Sequence, residues 1–168
     1  MDLRVRRASA DDVPAIAALR RASTLVGSRR AEQAGSTIDD DCNDDFEAEL
    51  AEWFAREQHQ RITWLAEVGD RPVGMLNLMV FTRMPKPRSA AAPGSPRQWG
   101  YVANVCVVPG HRNRGIGGAM LDEAVALADA RGFARLVLSP SERSVPFYER
   151  AGFAPATSLM VRVAGQGR

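Results

Sequence analysis

The sequence predicts a single α/β domain in which strands and amphipathic helices build one sheet with helices packed on it. Three observations lead there. The 168 residues suit one core, since a chain of this size buries roughly two thirds of the surface its unfolded form exposes. Apolar residues make up 45% and charged residues 25%, which is ordinary for a globular protein and argues against disorder or a fibre. Strand-like alternation and helix-like periodicity follow one another along the chain, and one strand runs through a basic, glycine-containing turn straight into a helix.

Leu3 to Arg7 alternates as a strand (β1), and Asp11 or Asp12 with Pro14 in the first turn opens a helix (α1) through Ile16, Leu19 and Arg20. Residues 23 to 38 lack a firm period and contain Gly27 and Gly35, which predicts a loop or broken helix. Phe46, Leu50, Trp53 and Phe54 then share one face of a helix (α2) whose other face is acidic. Ile62 to Val68 and Val73 to Phe81 read as a hairpin (β2 and β3) turning at Val68-Gly69-Asp70-Arg71. Between Arg83 and Gln98 four prolines mix with small residues, giving a long connection that is either a surface loop or a flap. Tyr101 to Val108 is rich in β-formers (β4), Gly115 opens a helix carrying Ile116, Met120, Leu121, Val125 and Leu127 (α3), and Ala134 to Leu138 makes β5. A short helix over Ser144 to Arg150 (α4) and a last strand over Leu159 to Val163 complete the reading.

Composition excludes several classes. No apolar run approaches the ~20 residues needed to cross a bilayer, and Met1-Asp2-Leu3-Arg4 lacks a signal-peptide core, so a cytoplasmic protein with no membrane partner is expected. Cys42 and Cys106 have no CxxC spacing and His59 and His111 are the only histidines, which predicts no metal site and no disulfide framework. A net charge of +2, with no helix that carries a basic face interleaved with aromatics, predicts no nucleic-acid partner. The distribution of charge says more. Acids crowd the stretch from Asp39 to Glu57, whereas Arg83, Lys86, Arg88, Arg97, Arg112 and Arg114 lie mid-chain, so one part favours a cation and another a polyanion, unless both are solvated surface.

The sharpest signal is the run Val105-Cys106-Val107-Val108-Pro109-Gly110-His111-Arg112-Asn113-Arg114-Gly115-Ile116-Gly117-Gly118-Ala119. A helix start offers about four unpaired N–H groups and the positive end of the dipole, which together hold a phosphate. Gly115, Gly117 and Gly118 permit close backbone approach, and Arg112 and Arg114 add charge. A P-loop needs Lys-Ser or Lys-Thr after its last glycine, and a dinucleotide fingerprint needs G-x-G-x-x-G; Gly115-Ile116-Gly117-Gly118-Ala119-Met120 satisfies neither.

What remains is R-x-x-G-x-G, as Arg112-Asn113-Arg114-Gly115-Ile116-Gly117, and here the sequence resembles the GNAT superfamily of N-acetyltransferases. The preceding Val-x-Val-Val-Pro strand and the later Phe147-Tyr148-Glu149-Arg150-Ala151-Gly152-Phe153 resemble that family's strand and its terminal F-Y-x-x-x-G-F element. The element order matches as well, so the resemblance covers nearly the whole chain.

That resemblance implies a central mixed, mostly antiparallel twisted sheet with β4 and β5 splayed apart, helices on both faces, and acetyl-CoA as co-substrate. It gives Val105, Cys106 and Val107 to the pantetheine arm, mainly through backbone, and the N–H groups from Arg112 through Asn113, Arg114, Gly115, Ile116, Gly117 and Gly118 to Ala119 to the pyrophosphate. Tyr148 falls where relatives keep a tyrosine near the coenzyme sulfur, and a phenol of pKa ≈ 10 suits protonation of a leaving thiolate. Ser141 occupies a position where the family commonly has asparagine, which weakens the cofactor contact expected there, and β4 offers Asn104 where some relatives place a carboxylate base. Glu67 is a candidate base, with a solvent-facing strand residue as its plainer role, and Cys106 reads as an inert buried thiol rather than a covalent acyl carrier. The expected activity is direct acetyl transfer to a primary amine, small molecule or peptide, drawn in by the acidic stretch; the alternative is a catalytically weak acyl-CoA-binding regulatory protein. A homodimer is left open.

Overall fold

In a computed structural model, the described residues are 2–32, 45–85, 87 and 97–162, with backbone only for residues 25–32. The chain divides into two compact units, one ending at Leu138 and the other starting at Ser139.

The first unit holds a five-stranded sheet in the order β1-β2-β3-β4-β5, formed by Leu3–Arg7, Arg61–Val68, Arg71–Thr82, Gln98–Val107 and Leu136–Val137. All neighbours are antiparallel except β4 and β5, which run parallel, as the predicted mixed sheet requires. The β2-β3 turn falls on Gly69-Asp70, with Val68 facing Arg71, as the sequence predicts. Every residue from Val73 to Leu78 is buried, so β3 is covered on both faces and reads as a continuous apolar run broken only by Gly74 and Asn77.

The helices covering those two faces are α1 (Val13–Glu32) and α2 (Phe46–Glu57) on one, and α3 (Ile116–Ala130) on the other. Ile16 and Leu19 of α1 pack with Leu65 and Met75, and Leu50 and Phe54 of α2 close over that cluster. On the opposite face Met120 of α3 comes so close to Gly74 that a Cβ there would lie 3.1 Å from its methyl group. Leu65, Leu76, Leu78, Ile116 and Leu121 are almost wholly buried, each contributing roughly 1.5–3 kcal/mol of transfer free energy.

Two expectations are corrected here. The helix α1 continues through Gly27 to Glu32 instead of breaking after residue 22; an interior glycine costs only about 1 kcal/mol, which the packed first half of the helix outweighs. Residues 159–162 form no strand, with Met160 99% and Val161 89% exposed: β-forming residues alone do not make a strand where no edge among the described residues pairs with them. Val163, the loop residues 88–96 and the acids Asp39, Asp40, Asp41 and Asp44 lie outside the described residues. Among the described residues no helix is long and apolar enough to cross a membrane.

In the second unit, α4 (Val145–Arg150) ends in a motif that explains its glycine. Gly152 takes φ +84°, the left-handed conformation that favours glycine, and its N–H donates to Glu149 C=O while Phe153 N–H donates to Tyr148 C=O. The spacing of F-Y-x-x-x-G-F is thus that of a helix terminus.

Candidate active site

The strand β4 carries the central irregularity. Ala103 faces Asn77 and Cys106 faces Met75, so Asn104 and Val105 together oppose Leu76 in a bulge, with Asn104 at φ 52°. Asparagine is among the few residues that tolerate this left-handed conformation. On the other side of β4, pairing with β5 is confined to Gly100 with Leu136 and Tyr101 with Val137. From Val102 to Val107 that edge has no strand partner among the described residues, which is the predicted parting of β4 from β5.

Beyond Val107 the chain makes a short 3-10 turn over Pro109–His111 and enters α3 at Gly115, whose φ of +79° reverses the backbone into the helix. No side chain caps this helix start. Of the predicted pyrophosphate donors, Arg112 N–H is taken by Pro109 C=O and Ala119 N–H by Gly115 C=O. The N–H groups of Asn113, Arg114, Gly115, Ile116, Gly117 and Gly118 have no acceptor among the described residues. A Cβ on Gly115 or Gly118 would meet nothing within 4 Å, so the space over the turn is open to a ligand. Arg112 donates from Nε to Val107 C=O at 2.9 Å, tying the turn to the end of β4, while Arg114 is exposed. Ile116 is 1% exposed, so its side chain belongs to the core and only its backbone faces the turn.

Val105, Cys106 and Val107 are half-buried on β4. Burial pushes the Cys106 thiol up, leaving it protonated at neutral pH and a poor nucleophile. Glu67 is buried, contrary to a solvent-facing role: Arg6 donates to its Oε1 from Nε and Nη2 at 3.0 and 2.7 Å, and the same guanidinium holds Asp12 at 2.7 Å. The Arg6 hydrogen bonds hold the Asp12 carboxyl well below the usual carboxylate range. A carboxylate so engaged stiffens the β1-β2 edge and is poorly placed to take a proton from an acceptor.

In the second unit, Ser141 starts a 3-10 turn, with its hydroxyl 3.0 Å from that of Ser144. The Tyr148 ring sits edge-on to Phe147 and to Phe153, with centroids 4.8 and 5.9 Å away.

Sequence reasoning missed a second feature. Between α1, α2 and the bulged part of the sheet lies an open cleft of about 330 Å³ that holds Arg20, Trp53, Arg61, Asn77 and Asn104. Asn77 is 1% exposed and donates to Thr63 Oγ1 at 2.8 Å while accepting from Arg61 Nη1 at 2.9 Å. A lone asparagine inside an apolar strand was the available signal, because a buried amide needs partners.

A sheet parted between its fourth and fifth strands, with an uncapped helix start at the mouth of the parting, defines an acetyltransferase fold. The chain belongs to the acetyltransferase (GNAT) family, whose model matches residues 29–153. A GCN5-related N-acetyltransferase from Ralstonia eutropha JMP134 is 30% identical, with 97% of this chain and 99% of that one covered at a TM-score of 0.68. A predicted acetyltransferase of Clostridium acetobutylicum, in a crystal structure with acetyl-CoA, has the same fold at 21% identity, covering 96% of each chain with a TM-score of 0.66. The glucosamine 6-phosphate N-acetyltransferase of Trypanosoma brucei brucei is 33% identical over 86 residues, 49% of this chain and 51% of that protein. The chain therefore spans about half the length of that relative. The matched domain is thus of the acetyltransferase type.

Proposed function

We propose that the protein transfers the acetyl group of acetyl-CoA directly to a primary amine, with the whole chain serving as one catalytic domain. The observation that carries this is the edge of β4 from Val102 to Val107, unpaired among the described residues, running into a helix start whose N–H groups have no acceptor among them either. The first supplies backbone groups for an extended amide-bearing arm, and the second supplies donors for a pyrophosphate. The residues present fit acetyl-CoA in both respects, with Asn113 to Gly118 holding the phosphates and Val105 and Val107 the arm.

In this reading a neutral amine nitrogen adds to the acetyl carbonyl carbon. The new C–N bond replaces the C–S bond, the nitrogen loses its proton to solvent, and the sulfur leaves with one. Tyr148 gives the sulfur its proton and regains one from solvent. Alkylamines have pKa values near 10, so the site must act on the small neutral fraction. A covalent route through Cys106 is disfavoured by the raised pKa of that thiol.

Calorimetric titration with acetyl-CoA, followed by thiol release on a panel of primary amines, tests the proposal. Saturable binding and amine-dependent release of free coenzyme A are expected. Binding without release on any amine supports an acyl-CoA-binding regulator instead, and no binding overturns both.

A further inference from the structure

The cleft beneath α1 and α2 has a charge pattern that the acidic stretch does not suggest. Arg20 and Arg61 both line it, and Glu49 is the carboxylate among the lining residues. The two arginines differ in how they are held. Arg61 lies over the Trp53 ring at 4.9 Å, donates to Asn77, and is paired with Glu57 at 3.3 Å, so its charge is already matched. Arg20 donates a single side-chain hydrogen bond, from Nη1 to Asn104 Oδ1 at 2.9 Å, and has no carboxylate partner among the described residues. A guanidinium carries five N–H donors in a planar fork that matches carboxylate and phosphate, so most of the recognition capacity of Arg20 faces the cleft unspent.

Its position matters as much as its charge. Asn104 is the bulged residue of β4, at the strand whose far edge is left unpaired, so Arg20 stands on the acceptor side of the proposed acyl track. A guanidinium there disfavours a neighbouring ammonium and favours the neutral amine that the reaction needs. The geometry points to an acceptor that is a primary amine bearing its own anionic group, carboxylate or phosphate, anchored by Arg20 in this cleft. The inference rests on the acetyl-transfer reading and names its substrate class. Arg61 and Asn77 form the fixed wall against which the rest of the acceptor lies.

Two matched pairs of amines test it: glucosamine 6-phosphate against glucosamine, and β-alanine against β-alaninamide, with spermidine as a polycation. Wild-type protein should show a KM at least about tenfold lower for the anionic member of one pair, and which pair responds tells phosphate from carboxylate. Arg20→Met should abolish that preference while leaving the KM for acetyl-CoA unchanged; Arg20→Lys, which keeps the charge and loses the fork, should restore part of it. Preference for spermidine or for the uncharged members overturns the inference, as does an Arg20→Met that raises KM equally for both members of a pair. Calorimetry of the same amines without acetyl-CoA separates the two readings. Arg20-dependent binding of an anionic amine with no acetyl transfer to any amine sinks the transferase reading and keeps the anion site, whereas transfer to uncharged amines alone sinks the anion site and keeps the transferase.

Discussion

Replacing Gly115 by alanine separates two reasons for which a glycine stands in a turn. A Cβ at this position meets nothing within 4 Å, so crowding contributes nothing, yet φ is +79°. The full cost is therefore conformational, about 1–2 kcal/mol for an L-residue in the left-handed region. For a domain of this size each kcal/mol shifts Tm by roughly 2–4 °C, so Gly115→Ala should melt roughly 2–8 °C lower. Gly118→Ala is the control. It too meets nothing within 4 Å, but it lies in the first turn of α3 without a positive φ, so it should leave Tm unchanged or raise it slightly. If the alanine at 115 pulls the turn out of its left-handed conformation, the N–H groups from Asn113 to Gly118 rotate away from a common point. Loss of one charge-assisted hydrogen bond, roughly 1.5–3 kcal/mol, then weakens acetyl-CoA binding by about tenfold or more. Differential scanning fluorimetry without ligand and calorimetry with acetyl-CoA read the two effects. Equal melting of both variants and the parent would refute the conformational argument, and a melting loss with unchanged acetyl-CoA affinity would remove the phosphate from this turn.

Tyr148→Phe should keep the affinity for acetyl-CoA and lower kcat about tenfold to a hundredfold, because only the proton donor is removed; a parental rate with a good acceptor would make the tyrosine a packing residue between Phe147 and Phe153. The Arg6-Asp12-Glu67 cluster should give stability a defined acid limb. Because the folded Asp12 carboxyl titrates below its unfolded value, its contribution is fully present above pH ~4 and is lost as pH falls through the folded value. Asp12→Asn should therefore cost about 2 kcal/mol in urea unfolding at pH 7 and progressively less below pH 4, and a gap that is constant with pH would show that the pair contributes no linkage.

The parts of the fold that were legible in the sequence are those decided by neighbours along the chain. Gly69-Asp70 between two apolar runs marks the hairpin, and the glycine turn before Ile116, Met120 and Leu121 marks the start of α3. Gly152 has the same character, since its left-handed φ closes the helix that presents Tyr148. Where the reading failed, a partner was absent or a distant one decided. Residues 159–162 are rich in β-formers but have no paired edge among the described residues, and α1 runs on through Gly27 because its first half is fixed by packing on Leu65 and Met75. Glu67 read as solvent-facing because nothing near it in sequence announces Arg6, which reaches it from the neighbouring strand.

The candidate site divides along the same line, and the division explains why the turn before α3 was legible in the sequence and the cleft beneath α1 and α2 was not. The turn proposed for the pyrophosphate is built from consecutive residues, so its geometry follows from local rules about helix starts and left-handed backbone. The cleft is assembled from α1, α2 and three strands, and its decisive contact joins Arg20 to Asn104 across 84 positions of sequence. Charge counted along the chain pointed to the acids between Asp39 and Glu57 and hence to a cationic acceptor. Among the described residues the charge counted in space is mixed: Glu57 is spent on Arg56 and Arg61, Glu47 and Glu52 are exposed on α2, Glu49 lines the cleft, and Arg20 stands unmatched by any described carboxylate at the bulge of β4, while Asp39, Asp40, Asp41 and Asp44 lie outside the described residues. In the proposed site a guanidinium so placed would serve twice, by holding an anionic group of the acceptor and by opposing protonation of its nitrogen, whereas a wall of carboxylates would favour the unreactive ammonium form.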